Sequence, residues 1–197
     1  MLSDSIAKYV TLNNGDVLAF RGDTITRLTD RIAFSEVDVK GYARIIVHVG
    51  SNDLSNLVKR GNGRTVSMFE MLARYKALRN TIKQKNSSAL LIISSILPRK
   101  TGFLVFRPFT QGMNFALERW CAKSRGSFVF LPSFRQFLYE GLPMTELFSE
   151  KDGLHLRGAG VVQLQTCFQQ GLSTGHLLMN LRSKRTKMLA EVEYVWK

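Results

Sequence analysis

The chain predicts an α/β fold built on a mostly parallel sheet, and three observations carry that expectation. Short apolar, β-branched runs recur along the sequence. Longer segments with helical periodicity separate them, and glycine or proline closes several of the strand-like runs. Strands joined through helices of this length pair in parallel through right-handed crossovers.

Taken in order, Val17-Leu18-Ala19-Phe20 is a short apolar run ended by Arg21-Gly22 and followed by a helix-like stretch from Thr24 to Ile32. Ala43 to Val49 is nearly continuous in apolar character, as a strand buried on both faces should be. Ser67 to Lys85 has the pattern of a long amphipathic helix, with Ser67 and Glu70 spaced as a capping box. Ala89 to Leu97 is a further buried strand, stopped by Pro98. Phe109 to Ser124 is helical in period, with Phe115 and Trp120 on its expected core face. Ser127 to Leu131 gives a last strand, and Gly158 to Gln170 a closing helix. Phe103 to Phe106 are expected in a loop, either as hidden core or as a mobile apolar lip.

Composition narrows the functional classes. No apolar run approaches the 18 or so residues of a membrane span, and no basic segment followed by an apolar one marks a secretory signal. Cys121 and Cys167 lie in helix-like apolar stretches and read as buried free thiols, so an intracellular, cytoplasmic chain is expected. Three scattered histidines and no cysteine cluster argue against a metal site. His48, between Val47 and Val49, reads as a core histidine, and His176 as an exposed one. The net charge of +13 favours anionic partners. It concentrates between Lys59 and Lys85, where eight cations face Glu70 alone, and again at Arg182, Lys184, Arg185 and Lys187. No nucleic-acid-binding module accompanies it, so RNA or anionic membrane contact would be non-specific.

Three segments carry chemistry. Ser3-Asp4-Ser5 offers a hydroxyl nucleophile, Gly50-Ser51-Asn52-Asp53 an amide after an apolar strand, and Asp152-Gly153-Leu154-His155 a base with a carboxylate three residues away. These are the parts of a serine esterase: nucleophile, oxyanion donors, general base and the group that orients it. Each is weak alone; the order and the intervening strand–helix pattern strengthen them.

With Gly22 after Phe20-Arg21, these segments resemble the four blocks of the SGNH or GDSL-type hydrolases, from the first residues to about Gly171. More narrowly, Val47 to Leu54, Ile93 to Arg99 and Asp152 to Leu156 are similar to the esterase domain in the first open-reading-frame protein of fish LINE-type retrotransposons. The resemblance implies a three-layer α/β/α sandwich with a flavodoxin-like sheet over residues 1–171. The basic tail over 172–197, with a helix-like Leu181 to Trp196, matches no block.

It further implies a cofactor-free esterase acting on small-molecule or lipid esters. Ser5, His155 and Asp152 would be catalytic, and Ser5, Gly22 and Asn52 would form the oxyanion hole. A catalytically inactive module that binds RNA or membrane is the rival expectation. Only Met1 and Leu2 precede Ser3, so the first strand is expected to be truncated, with an upstream segment needed to bring Ser5 to His155. Ser3 stands where the family usually has glycine, adding a side chain beside the nucleophile.

Overall fold

The computed structural model describes residues 1–59, 68–124, 126 and 128–173. Five parallel strands form its central sheet: β1 (Leu2–Asp4), β2 (Leu18–Phe20), β3 (Arg44–His48), β4 (Leu90–Ser94) and β5 (Phe128–Leu131). They lie in the order β2-β1-β3-β4-β5. Helices α1 (Ile25–Ala33), α2 (Ser51–Lys59), α3 (Met68–Lys85), α4 (Phe103–Ala122) and α5 (residues 158–173) connect and cover the strands. A two-stranded hairpin of β6 (Leu138–Tyr139) and β7 (Leu142–Pro143) follows β5.

Alternation along β3 and β4 builds two cores. Ile45, Val47, Leu91 and Ile93 face Leu28, Tyr75, Leu78 and Leu117 of α1, α3 and α4. Ile46, Leu90 and Ile92 turn to the opposite face, against Phe137, Phe148, Leu164 and Phe168. Strands covered on both faces lose the usual apolar–polar alternation, which explains their continuous hydrophobic sequence. Each fully buried leucine or isoleucine contributes roughly 1.5–3 kcal/mol relative to exposure. This is the expected three-layer α/β/α sandwich.

The first strand is three residues long and is paired on both sides. Leu2, Ser3 and Asp4 pair with Leu18, Ala19 and Phe20 on one side, and Leu2 and Ser3 with Val47 and His48 on the other. Pairing on both sides satisfies the backbone of three residues that could not hold an isolated strand. This pairing carries the chain straight into the turn that holds Ser5. Ser3 is accommodated too: its side chain is buried and its hydroxyl donates to the Asp4 carbonyl at 3.0 Å.

Other elements depart from the sequence reading. Phe103 to Phe106 form the first turn of α4 rather than a loop, with Leu104 and Val105 exposed. Pro108 lies inside this helix and hides its start, because proline usually marks a boundary. Phe115 is 59% exposed and not core, whereas Trp120 packs partly buried against Phe128. Strand β4 stops at Ser94, and Ser95 to Leu97 continue as buried irregular chain. Cys121 and Cys167 are buried free thiols, and burial pushes the Cys121 thiol up to about 12. Ser67, His176 and Leu181 to Trp196 lie outside the described residues. Among the described residues, no helix is long and apolar enough to cross a membrane.

Candidate active site

Strand β1 ends at Asp4, and the chain turns at once into a 3₁₀ turn over Ser5–Ala7. Asp4 caps that turn: its Oδ1 accepts the Ile6 N–H at 3.0 Å. Ile6 and Ala7 anchor the turn in the lower core, leaving Ser5 half-buried at the carboxyl edge of the sheet. Open α/β sheets gather their ligands at this edge. Asp4 itself is buried, and its second oxygen has no partner. Burial pushes its carboxyl up to about 7, against the lowering effects of the Ile6 N–H and His155.

On the far side of the cleft, one carboxylate shapes a loop and aims a ring. Asp152 Oδ1 accepts the N–H groups of Leu154 and His155 at 2.9 and 3.0 Å, closing an Asx turn. Asp152 Oδ2 lies 2.7 Å from His155 Nδ1. Burial would raise the Asp152 carboxyl, but the two amides and the imidazole outweigh it and hold it below its ordinary value. Gly153 is required by both angle and space. It has φ +62°, and a Cβ there would lie 2.2 Å from Thr101 Oγ1 and 2.7 Å from the Thr101 backbone nitrogen. The Lys100 N–H donates to the Gly153 carbonyl at 2.8 Å, fastening the loop to the segment that leads into α4.

The two sides meet. Ser5 Oγ lies 3.0 Å from His155 Nε2, so Ser5, His155 and Asp152 form one hydrogen-bonded line across 150 residues of sequence. With Asp152 accepting from Nδ1–H, Nε2 is left as the acceptor of the Ser5 hydroxyl proton. Such a line can ionise a serine hydroxyl as it attacks an electrophilic carbon.

Gly22 and Asn52 flank β1 on its two sides. Gly22 follows β2 with φ +77°, a conformation that favours glycine, and no protein atom crowds its Cβ position. Asn52 lies in the first turn of α2, and its side-chain amide donates to the Asp23 carbonyl at 2.9 Å, tying the β2 and β3 loops together. That bond uses one of two amide hydrogens.

Other residues position the site in roles that the sequence reading did not assign. Asp53 Oδ2 accepts the Ile25 N–H at 2.9 Å at the start of α1, while its Oδ1 meets Arg74 of α3 at 3.1 Å. Arg99 donates to the Ser51 carbonyl at 2.6 Å and to the Ser55 hydroxyl, and its guanidinium lies 4.1 Å from the Phe106 ring centroid. Both residues fix α2 and hence the position of Asn52. An open cleft of about 540 Å³ covers Ser5 and His155, lined also by Lys8, Tyr9, Ala19, Arg21, Ser149, Lys151 and Leu156. These side chains arrive from three separate segments, so spacing alone could not have found them.

His48 is the core histidine that its strand predicts. Its Nδ1 lies 2.9 Å from Ser94 Oγ, and burial lowers the imidazole to about 4.

The sequence matches no family model and no curated protein. Solved structures do match. A GDSL-like lipase from Bacteroides thetaiotaomicron superposes with a TM-score of 0.71 at 14% identity, over 88% of this chain and 86% of that one. A family 3 carbohydrate esterase from Talaromyces cellulolyticus gives 0.64 at 15% identity, over 91% and 97% of the two chains. The esterase domain of the ZfL2-1 ORF1 protein from the zebrafish ZfL2-1 retrotransposon shares 21% identity over 88% and 96%, at a TM-score of 0.46, too loose to carry an argument. With the 2-1-3-4-5 strand order, the close superpositions identify the fold as that of the SGNH/GDSL-type hydrolases.

Proposed function

We propose that this chain is a cofactor-free serine esterase acting on carboxylic esters, with acyl or acetyl groups of lipids among its substrates. One observation carries the reading: the Ser5–His155–Asp152 hydrogen-bonded line opens on a cleft at the carboxyl edge of the sheet.

Ser5 Oγ attacks the ester carbonyl as His155 Nε2 takes its proton. Asp152 holds the imidazole tautomer and balances the imidazolium. The carbonyl oxygen becomes an oxyanion, met by the Ser5 and Gly22 backbone N–H groups and the Asn52 amide. His155 then returns the proton to the departing alcohol, leaving an acyl-Ser5 ester. Water, deprotonated by the same imidazole, hydrolyses it and regenerates Ser5.

Purified protein should hydrolyse p-nitrophenyl acetate, and Ser5→Ala should lower kcat at least about 10³-fold without loss of folded structure. A mutant as fast as the parent would remove Ser5 as nucleophile. In that event, steeply salt-dependent binding to RNA or anionic liposomes would mark the chain as a binding module instead.

A further inference from the structure

We propose that the Ser5 cleft selects esters that carry a negative charge close to the reacting carbonyl. The inference rests on Ser5 being the nucleophile and names the class of substrate that it serves.

Three cations converge on the cleft from three segments: Lys8 just after the Ser5 turn, Arg21 just after β2, and Lys151 just before Asp152. All three are exposed, and among the described residues none makes an ion pair. Lys8 instead lies 5.1 Å from the Tyr9 ring centroid. No carboxylate lines the cleft. Three acids next to these segments are already engaged: Asp23 by Arg31 at 2.7 Å, Asp152 by His155 at 2.7 Å, and Glu150 by Arg157. Asp4, beside Ser5, is buried beneath the turn and does not line the cleft.

Like charges brought together around a concave site repel one another, and a bound anion relieves that repulsion. Ser149 and Tyr9 add hydroxyls to the same lining, so a carboxylate, sulfate or phosphate on the substrate would find donors as well as charge. The cleft is too open for a strong desolvated ion pair, so the expected gain is moderate and sensitive to salt.

The test compares matched probes. Hydrolysis of 4-acetoxybenzoate is measured beside its neutral methyl ester. The 4-nitrophenyl monoester of glutaric acid is measured beside its methyl-capped diester. Working with the ratio of kcat/KM within each pair, and comparing parent with variant, cancels the intrinsic reactivity of the esters.

The triple variant Lys8→Gln/Arg21→Gln/Lys151→Gln should lower the charged-to-neutral ratio at least about tenfold in one pair. In the unmodified protein, raising NaCl from about 20 mM to about 0.5 M should lower the same ratio by a similar factor, independently of any mutant's folding. A ratio that moves in neither experiment overturns charge selection while Ser5-dependent hydrolysis stands. Hydrolysis of all four esters unaffected by Ser5→Ala overturns the esterase reading itself.

Discussion

His48 and His155 each sit against a serine hydroxyl at nearly the same distance, 2.9 Å to Ser94 Oγ and 3.0 Å to Ser5 Oγ. The two contacts differ in what stands behind the imidazole. Behind His155 is Asp152, 2.7 Å from Nδ1, and the ring is only half-buried beside an open cleft. Beside His48 is the ring of Phe168, edge-on at 5.5 Å, and the imidazole is buried. The Ser94 hydroxyl leads to the Ser95 carbonyl and to Ser133, which in turn meets the Ser95 hydroxyl, all of them buried. Taking a proton from Ser94 would place an imidazolium in the core with no carboxylate to balance it. A serine–histidine contact therefore indicates chemistry only when a compensating charge and a path for substrate accompany it.

The largest test of this contrast is Asp152→Asn. Asparagine keeps an oxygen for the Leu154 and His155 amides but can turn an N–H toward Nδ1, favouring the wrong tautomer. Esterase kcat should fall about 10⁴-fold while the melting temperature hardly moves. Comparable loss of stability would instead make Asp152 chiefly a loop-building residue.

A smaller effect tests Asn52 as a proposed oxyanion donor. Asn52→Ala should lower kcat about 10²–10³-fold, with KM changed much less. An equal rise in KM with kcat intact would show that Asn52 holds substrate rather than charge developing in the transition state.

The smallest effect is thermodynamic and belongs to His48. Its folded value of about 4 lies below the ordinary 6.5, so the unfolded chain takes up a proton first. The associated stability is present above about pH 6.5 and is lost as pH falls toward 4, by roughly 3 kcal/mol in all. Asp4 works in the opposite direction. Its folded value of about 7 exceeds the ordinary 3.8, so acidification through that window favours the folded state. Urea unfolding of parent and His48→Asn at pH 7 and pH 4.5 isolates the histidine, because the Asp4 contribution cancels in the difference. A parent–variant gap independent of pH would refute the buried-neutral assignment.

Much of this architecture was legible because local chemistry and global placement agree. Ala43 to Val49 and Ala89 to Leu97 read as strands covered on both faces, and β3 and β4 lie within them at Arg44–His48 and Leu90–Ser94. Ser5, Gly22 and Asn52 each follow a strand, and parallel pairing brings such positions to one edge. The start of α4 was not legible, since Pro108 and an exposed Leu104-Val105 pair break the helical signal. The pairing of β1 was hidden for another reason: its three residues are held by two neighbouring strands, which no local window contains. Lys8, Arg21 and Lys151 are likewise ordinary surface cations in sequence and become a group only in three dimensions.

The division of labour inside the Asp152 carboxylate has a further consequence. One oxygen is spent on the bend of the backbone and the other on the bearing of the ring, so the path of the loop and the direction of the imidazole form a single adjustable part. With Thr101 wedged against Gly153, that part cannot be reshaped by adding bulk at its apex. Variation in reactivity is thereby pushed outward, to the rim of the cleft, where side chains can change without disturbing the alignment of imidazole and hydroxyl.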